Sequence, residues 1–140
     1  MSNDYYKSYS IGIEHRWENS FDARLEYYFN GFGSKQDLFS LPEMFLRASE
    51  NRLLYPGREY LALGQGYEVS PLLYMQLVLL MNLNNQAGII SLNTTYSLSD
   101  DFELSVNAAT TYNKRRDDLL YSTEFFYSPN ALAIELRGYF

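Results

Sequence analysis

The sequence predicts an all-β protein: one domain over residues 1–140, an antiparallel meander of about seven or eight strands, with one short helix in a long loop near 32–56. Three observations predict it. Apolar and polar side chains alternate with a period of two over most of the chain, and a strand places successive side chains on opposite faces. Turn-forming residues punctuate the alternation. The most apolar run, Leu72 to Met81, is broken by Gln76 and falls short of the roughly 18 to 20 residues that a membrane-crossing helix needs.

The first strand reads Tyr9, Ile11, Ile13, His15 and Trp17 on one side, with Ser10, Gly12, Glu14 and Arg16 on the other. Glu18-Asn19-Ser20 turns tightly into the second, where Phe21, Ala23, Leu25, Tyr27 and Phe29 oppose Asp22, Arg24, Glu26, Tyr28 and Asn30. In the long loop that follows, Ser40-Leu41-Pro42 offers a serine cap and an early proline, which predicts a short helix from Ser40 to Ala48. The third strand sets Leu61, Leu63, Tyr67 and Val69 against Ala62, Gly64, Gly66 and Glu68. Glycines inside such a pattern mark a bulge or close packing.

Ser70-Pro71 leads into Leu73, Met75, Leu77, Leu79 and Met81, opposed by Tyr74, Gln76, Val78, Leu80 and Asn82, a side that is only weakly polar. After a connection at 83–88, Ile90, Leu92, Thr94, Tyr96 and Leu98 face away from Ser91, Asn93, Thr95 and Ser97. Ser99-Asp100-Asp101 opens the next strand, with Phe102, Leu104, Val106, Ala108 and Tyr112 against Glu103, Ser105, Asn107, Thr111 and Asn113. The last strand sets Leu132, Ile134, Leu136, Gly138 and Phe140 against Ala133, Glu135, Arg137 and Tyr139. Leu119 to Tyr127 reads either as an eighth strand or as part of an excursion from Lys114 to Asn130.

An alternating β sequence ordinarily turns its apolar face inward, as a sandwich or small soluble barrel does. Here the apolar residues are too large for that. Seven strands of Leu, Ile, Tyr and Phe would overfill a small closed interior. The other face carries Glu14, Arg16, Asp22, Arg24, Glu26, Glu103, Glu135 and Arg137 among small Ser, Thr, Asn and Gly residues, a composition that suits a wet lumen. The expected fold is therefore an antiparallel transmembrane β-barrel, or the carboxy-terminal part of one, and those eight charged residues are the expected pore lining.

The high aromatic content, 14 Tyr and 9 Phe, fits the same fold, because Trp and Tyr favour the membrane–water boundary. Trp17, Phe21, Tyr67, Tyr96, Phe102 and Phe140 fall near one level, and Tyr27, Phe29 and Tyr112 near the other, with Ile11, Leu25, Leu92, Leu104 and Val106 between. These nine aromatics are the expected interface girdles, and the lipid bilayer the expected partner.

Ala131 to Phe140 resembles the closing strand of bacterial outer-membrane β-barrels, whose alternating apolar positions end in a carboxy-terminal Phe. Gly138 departs from the bulky residue often found two before that end. Leu53 to Leu61 and Tyr96 to Phe102 are similar to stretches in the last third of larger porin-like proteins. The resemblance implies a bacterial outer membrane location, recognition of the last strand by the barrel assembly machinery, and passive passage of small polar solutes.

In such barrels the periplasmic turns are short, the outer loops long and the strand number even. Eight strands would put every long loop on the periplasmic side, whereas seven put them outside. Seven is favoured, and it implies a piece of a larger barrel. Met1 to Lys7 has no apolar core or small-residue cleavage site, so the chain reads as mature, truncated or cytoplasmic. The rival readings are a complete small barrel that is plugged and structural or adhesive, and a soluble ligand-carrying barrel.

Chemistry of other kinds is poorly supplied. The chain has no cysteine, one histidine and a net charge of -6, which argues against thiolate metal sites, disulfides and a nucleic-acid partner. His15 falls on the apolar side, away from Ser8 and Ser10, so a serine–histidine pair does not form. Asp100-Asp101 and Asp117-Asp118 read as solvated turns. No catalytic residue, metal or cofactor is expected. Leu41, Met44, Phe45 and Leu46 need burial, so Ser40 to Asn51 either folds into the lumen or caps the outer rim.

Overall fold

The computed structural model describes residues 7–40, 42–43, 56–116 and 121–139. Nine strands are described, all joined antiparallel: β1 (Tyr9–Arg16), β2 (Phe21–Phe29), β3 (Phe39–Ser40), β4 (Glu59–Ser70), β5 (Leu73–Asn82), β6 (Gly88–Ser99), β7 (Phe102–Tyr112), β8 (Tyr121–Ser122) and β9 (Ala131–Gly138). Seven form one meandering sheet in the order β1-β2-β4-β5-β6-β7-β9, and β3 pairs with β8 in a separate two-stranded ladder. The fold is all-β, and the seven strands of the sheet are those the alternation predicts.

Two expectations are corrected, and the alternative of an eighth long strand is set aside. The sheet does not close into a barrel, since β1 and β9 lie at its two ends and do not pair. In an antiparallel sheet of odd strand number the end strands run the same way, so these two edges cannot meet in an antiparallel ladder. The eighth long strand does not form either: β7 pairs directly with β9, and among the described residues between them Tyr121–Ser122 is the one strand, followed by turns. The short helix is not seen. Pro42 and Glu43 are helical, and the Glu43 N–H donates to Ser40 Oγ at 3.3 Å as a serine cap does. Leu41 and Met44 to Ala48 lie outside the described residues, as do Leu53 to Tyr55, Asp117-Asp118 and Phe140.

The tight connections are built as their residues dictate. Between β1 and β2 the Ser20 N–H donates to the Trp17 carbonyl at 3.2 Å, the Trp17 N–H donates to the Phe21 carbonyl at 2.8 Å, and Ser20 is left-handed with φ 62°. That is the three-residue hairpin loop whose last residue takes positive φ. Bulges interrupt the ladders at Glu68/Ser70 and Ser97/Ser99, next to the other two tight turns. Gly66 makes room rather than a bulge: a methyl there would collide with Tyr74 Oη and the Asp22 carboxylate.

The pairing register preserves face identity from strand to strand. Ile13 is opposite Leu25, Leu25 opposite Leu63, Leu63 opposite Leu79, Leu79 opposite Ile90; Thr94 is opposite Val106 and Val106 opposite Ile134. One largely apolar face results, with Gln65 and Thr94 as polar exceptions, and among the described residues nothing covers it. Ile13 is 71% exposed, Leu132 72% and Leu92 37%. What core there is sits elsewhere, at the end carrying the long connections, where Phe39, Tyr60, Ala87 and Phe125 are buried. Among the described residues no helix is long and apolar enough to cross a membrane, which says nothing about strands.

Candidate functional site: the ionic face and its loop end

The opposite face is assembled by the same register. Arg16 pairs with Asp22, Glu14 with Arg24 and Gly12 with Glu26, and the face continues through Ala62, Gly64 and Gly66 to Gln76. Side chains of β1, β2, β4 and β5, among them Glu14, Arg16, Asp22, Arg24, Glu26 and Gln76, enclose a trough of about 690 Å³. Arg24 Nη2 lies 3.0 Å from Glu26 Oε2. Arg16 Nη2 reaches across β2 to Glu68 Oε2 at 3.7 Å, so Glu68 joins a set from which the sequence reading omitted it.

The other three expected lining residues form a second group on β7 and β9. Glu103 stands opposite Arg137, with Arg137 Nη1 at 3.4 Å from Glu103 Oε1 and Nε at 3.0 Å from Glu135 Oε1. The eight residues therefore share one face but not one cluster. Between the groups, β5 and β6 present uncharged pairs: Gln76 opposite Asn93, Val78 opposite Ser91 and Tyr74 opposite Thr95. Each ion pair is half-exposed and bridges wet side chains, so its value is steric and electrostatic ordering of the wall more than stability.

The expected girdle aromatics other than Phe140, which lies outside the described residues, fall on the apolar face in two rows. At the tight-turn end His15 lies against Trp17 (4.5 Å between ring centres), Trp17 against Phe21 (5.2 Å) and Phe21 against Tyr67 (6.4 Å). Tyr96 and Phe102 belong to the same end, beside the β6–β7 turn, and both are exposed. At the loop end Tyr9 stacks on Phe29 (5.2 Å) and approaches Tyr27 (6.3 Å), while Tyr112 stands opposite Gly88. Among the in-register strand positions of this face one carries a charge: Glu59, opposite Phe29. Tyr27 Oη donates to Glu59 Oε1 at 2.8 Å, and Lys35 Nζ lies 3.9 Å from Glu59 Oε2.

Sequence reading missed a polar cluster at the loop end that joins three connections. Glu124, in the β7–β9 connection, accepts from Asn85 Nδ2 at 2.7 Å on Oε2, and from Tyr60 Oη at 3.1 Å and Asn82 Nδ2 on Oε1. Asn85 Nδ2 also donates to the Asp37 carbonyl at 3.1 Å, which ties in the loop after β2. The Gly57 N–H donates to Tyr60 Oη at 2.7 Å. A methyl at Gly57 would run into Asn82 Nδ2 and Tyr60 Oη, so this position needs glycine. Asparagine and glutamate in connections carry no periodicity, and nothing in the local sequence marks Glu124. The signal that was present lay in the strands: Tyr28, Leu80 and Ile89 are apolar on the ionic parity, all toward the loop end.

No group of three or more His, Asp or Glu side chains able to hold a metal occurs among the described residues. No protein-family model, curated protein or solved structure matches the chain.

Proposed function

We propose that this chain is a section of an outer-membrane β-barrel, the carboxy-terminal portion of a larger one, whose ionic face lines a passive passage for small polar solutes. The observation that supports the reading is the pairing of two faces in one sheet: a mostly apolar surface that no other described residue covers, and behind it a wall of ionic and small polar residues around a trough. A water-soluble sheet would cover the first and solvate the second. Lipid does the reverse, accepting the apolar side and leaving the ionic side to water.

On this reading the three tight turns face the periplasm and the long connections face outward, the aromatic rows mark the two membrane boundaries, and the last strand is the element offered to the barrel assembly machinery. The two free edges, β1 and β9, receive the rest of the barrel wall. Passage needs no chemistry beyond the wall itself. The charges order water and screen solutes by size and polarity.

A second reading, a plugged structural or adhesive barrel, is favoured by one observation: the β7–β9 connection packs its Phe125 against the ionic face. Conductance separates the two. The full product of the gene, refolded and inserted in a planar bilayer, is expected to give stepwise currents in potassium chloride. A correctly folded, inserted protein that stays electrically silent would rule out passage and leave the plugged reading.

A further inference from the structure

Asn30 follows β2 directly and is the only asparagine in the chain with a glycine after it. The fold requires both members of that pair. Asn30 is 1% exposed, and each of its polar groups is bonded. Its N–H donates to the Arg58 carbonyl at 2.7 Å, its carbonyl accepts the Gly33 N–H at 2.9 Å, Nδ2 donates to the Gly57 carbonyl at 3.2 Å and Oδ1 accepts the Phe32 N–H at 3.1 Å. The last is the turn that an asparagine side chain makes with the backbone two residues on. At position 31 a methyl would run into the backbone of Lys7, so only glycine fits, and its N–H donates to Ser8 Oγ at 3.3 Å.

Asparagine before glycine is also a reactive pair. With no side chain to shield it, the glycine nitrogen attacks the asparagine Cγ: a new N–C bond closes a five-membered imide, the nitrogen gives up its proton, and Nδ2 leaves as ammonia. Water then opens the imide at either carbonyl and yields aspartate or isoaspartate. In the folded protein the two atoms on Cγ are tied to Gly57 and Phe32, and the attacking nitrogen to Ser8, so Cγ is not free to turn onto it. In the unfolded chain none of these bonds exists.

We infer that Asn30–Gly31 is a one-way modification site, open while the chain is unfolded and shut by folding, which limits how long an unfolded copy keeps the ability to build its loop end. Aspartate at position 30 lacks the donor to the Gly57 carbonyl and sets a buried carboxylate against that oxygen, which is unfavourable without a partner. Isoaspartate adds a methylene to the backbone inside the turn that ends at Gly33. The damage reaches further, because the Gly57 N–H also donates to Tyr60 Oη, one of the groups that hold Glu124. All of this rests on contacts of the loop end and is independent of the passage proposed above.

The test holds the full gene product in urea at mildly alkaline pH for increasing times, beside a folded sample at the same pH and temperature. Mass spectrometry of the tryptic peptide 25–35 follows aspartate and isoaspartate at position 30. Conversion is expected to be at least about ten-fold slower in the folded sample, since it proceeds only through the locally open state. On transfer to vesicles or detergent, the share of chains that regain the fold should fall in step with conversion. Asn30→Asp should show the loss from the outset, as a lower urea midpoint. Ser8→Ala, which frees the Gly31 nitrogen, should speed conversion in the folded protein and leave the urea sample unchanged. Equal conversion in folded and unfolded parent, or a refolded yield that stays constant while position 30 converts, would overturn the inference with no variant needed. An Asn30→Asp protein with the parent's midpoint would overturn it as well.

Discussion

Tyr60 and Asn82 stand directly opposite each other in the β4–β5 ladder, and both donate a hydrogen bond to the same oxygen of Glu124. A pair of neighbouring strands thus grips a residue more than 40 positions further along the chain, which fastens the last long connection to the wall. Asn82 also accepts the Asn84 N–H at 2.8 Å. Asn82→Leu removes a buried donor and a buried acceptor together. It should lower stability by about 1–3 kcal/mol, read as a shift in the urea midpoint for folding into vesicles. An unchanged midpoint would mean the Glu124 contacts contribute nothing.

The lipid-facing assignment predicts where a quencher reaches. Trp17 is exposed on the apolar side, between His15 and Phe21. Brominated acyl chains should quench its fluorescence strongly, and iodide in the water weakly. With Trp17→Phe in the background, a tryptophan introduced as Asn93→Trp should show the opposite preference. Identical quenching at the two positions would dissolve the distinction between the faces.

Charge placed on the two faces should differ in cost. Leu92 and Asn93 are neighbours on β6 with opposite parity. On the proposed reading Leu92→Arg puts a guanidinium into the hydrocarbon at mid-strand and should cost about 2–4 kcal/mol. Asn93→Arg enters the wet side and should stay within roughly 0.5 kcal/mol of the parent. Urea titration in short-chain phosphatidylcholine vesicles measures both, and equal losses would contradict the inside-out arrangement.

The β1–β2 turn offers a local test. Ser20 holds φ at 62°, a region that costs a residue with a Cβ roughly 1–2 kcal/mol. Glycine relieves that strain but loses more freedom on folding. Ser20→Gly should therefore stabilise by no more than about 1 kcal/mol, and Ser20→Val should destabilise, because a β-branched side chain tolerates positive φ least. A stabilising valine would show that this turn is not the one described.

These outcomes bear on how far the sequence could be read. All seven long strands were legible because each buries or exposes a whole face, and that demand is written residue by residue at a period of two. Ile11, Leu25, Leu63 and Leu92 needed no partner information to be placed. The ladder of Phe39–Ser40 with Tyr121–Ser122 was not legible, since two-residue strands are too short to carry a period. Leu119 to Tyr127 was ambiguous for the converse reason: its apolar residues invite a strand, the lesser of the two readings, yet Phe125 is committed to the ionic face. The eight charged residues share one face, as the alternation implies, but sequence alone could not say that they divide into a β1–β2 group and a β7–β9 group. That depends on which strands neighbour which.

Glu59 is the one charged strand position on the apolar face among the described residues. It stands opposite Phe29 at one end of β2, and Tyr67 stands opposite Phe21 at the other. Eight residue steps at ~3.3 Å, inclined by ~40°, separate the two levels by only about 20 Å along the normal. Acyl chains much longer than that would either drown the carboxylate and its Lys35 neighbour or have to compress around the protein, at a fraction of a kcal/mol for each ångström of mismatch. On the proposed lipid-facing reading the molecule should insert fastest into thin bilayers and thin the thicker ones locally.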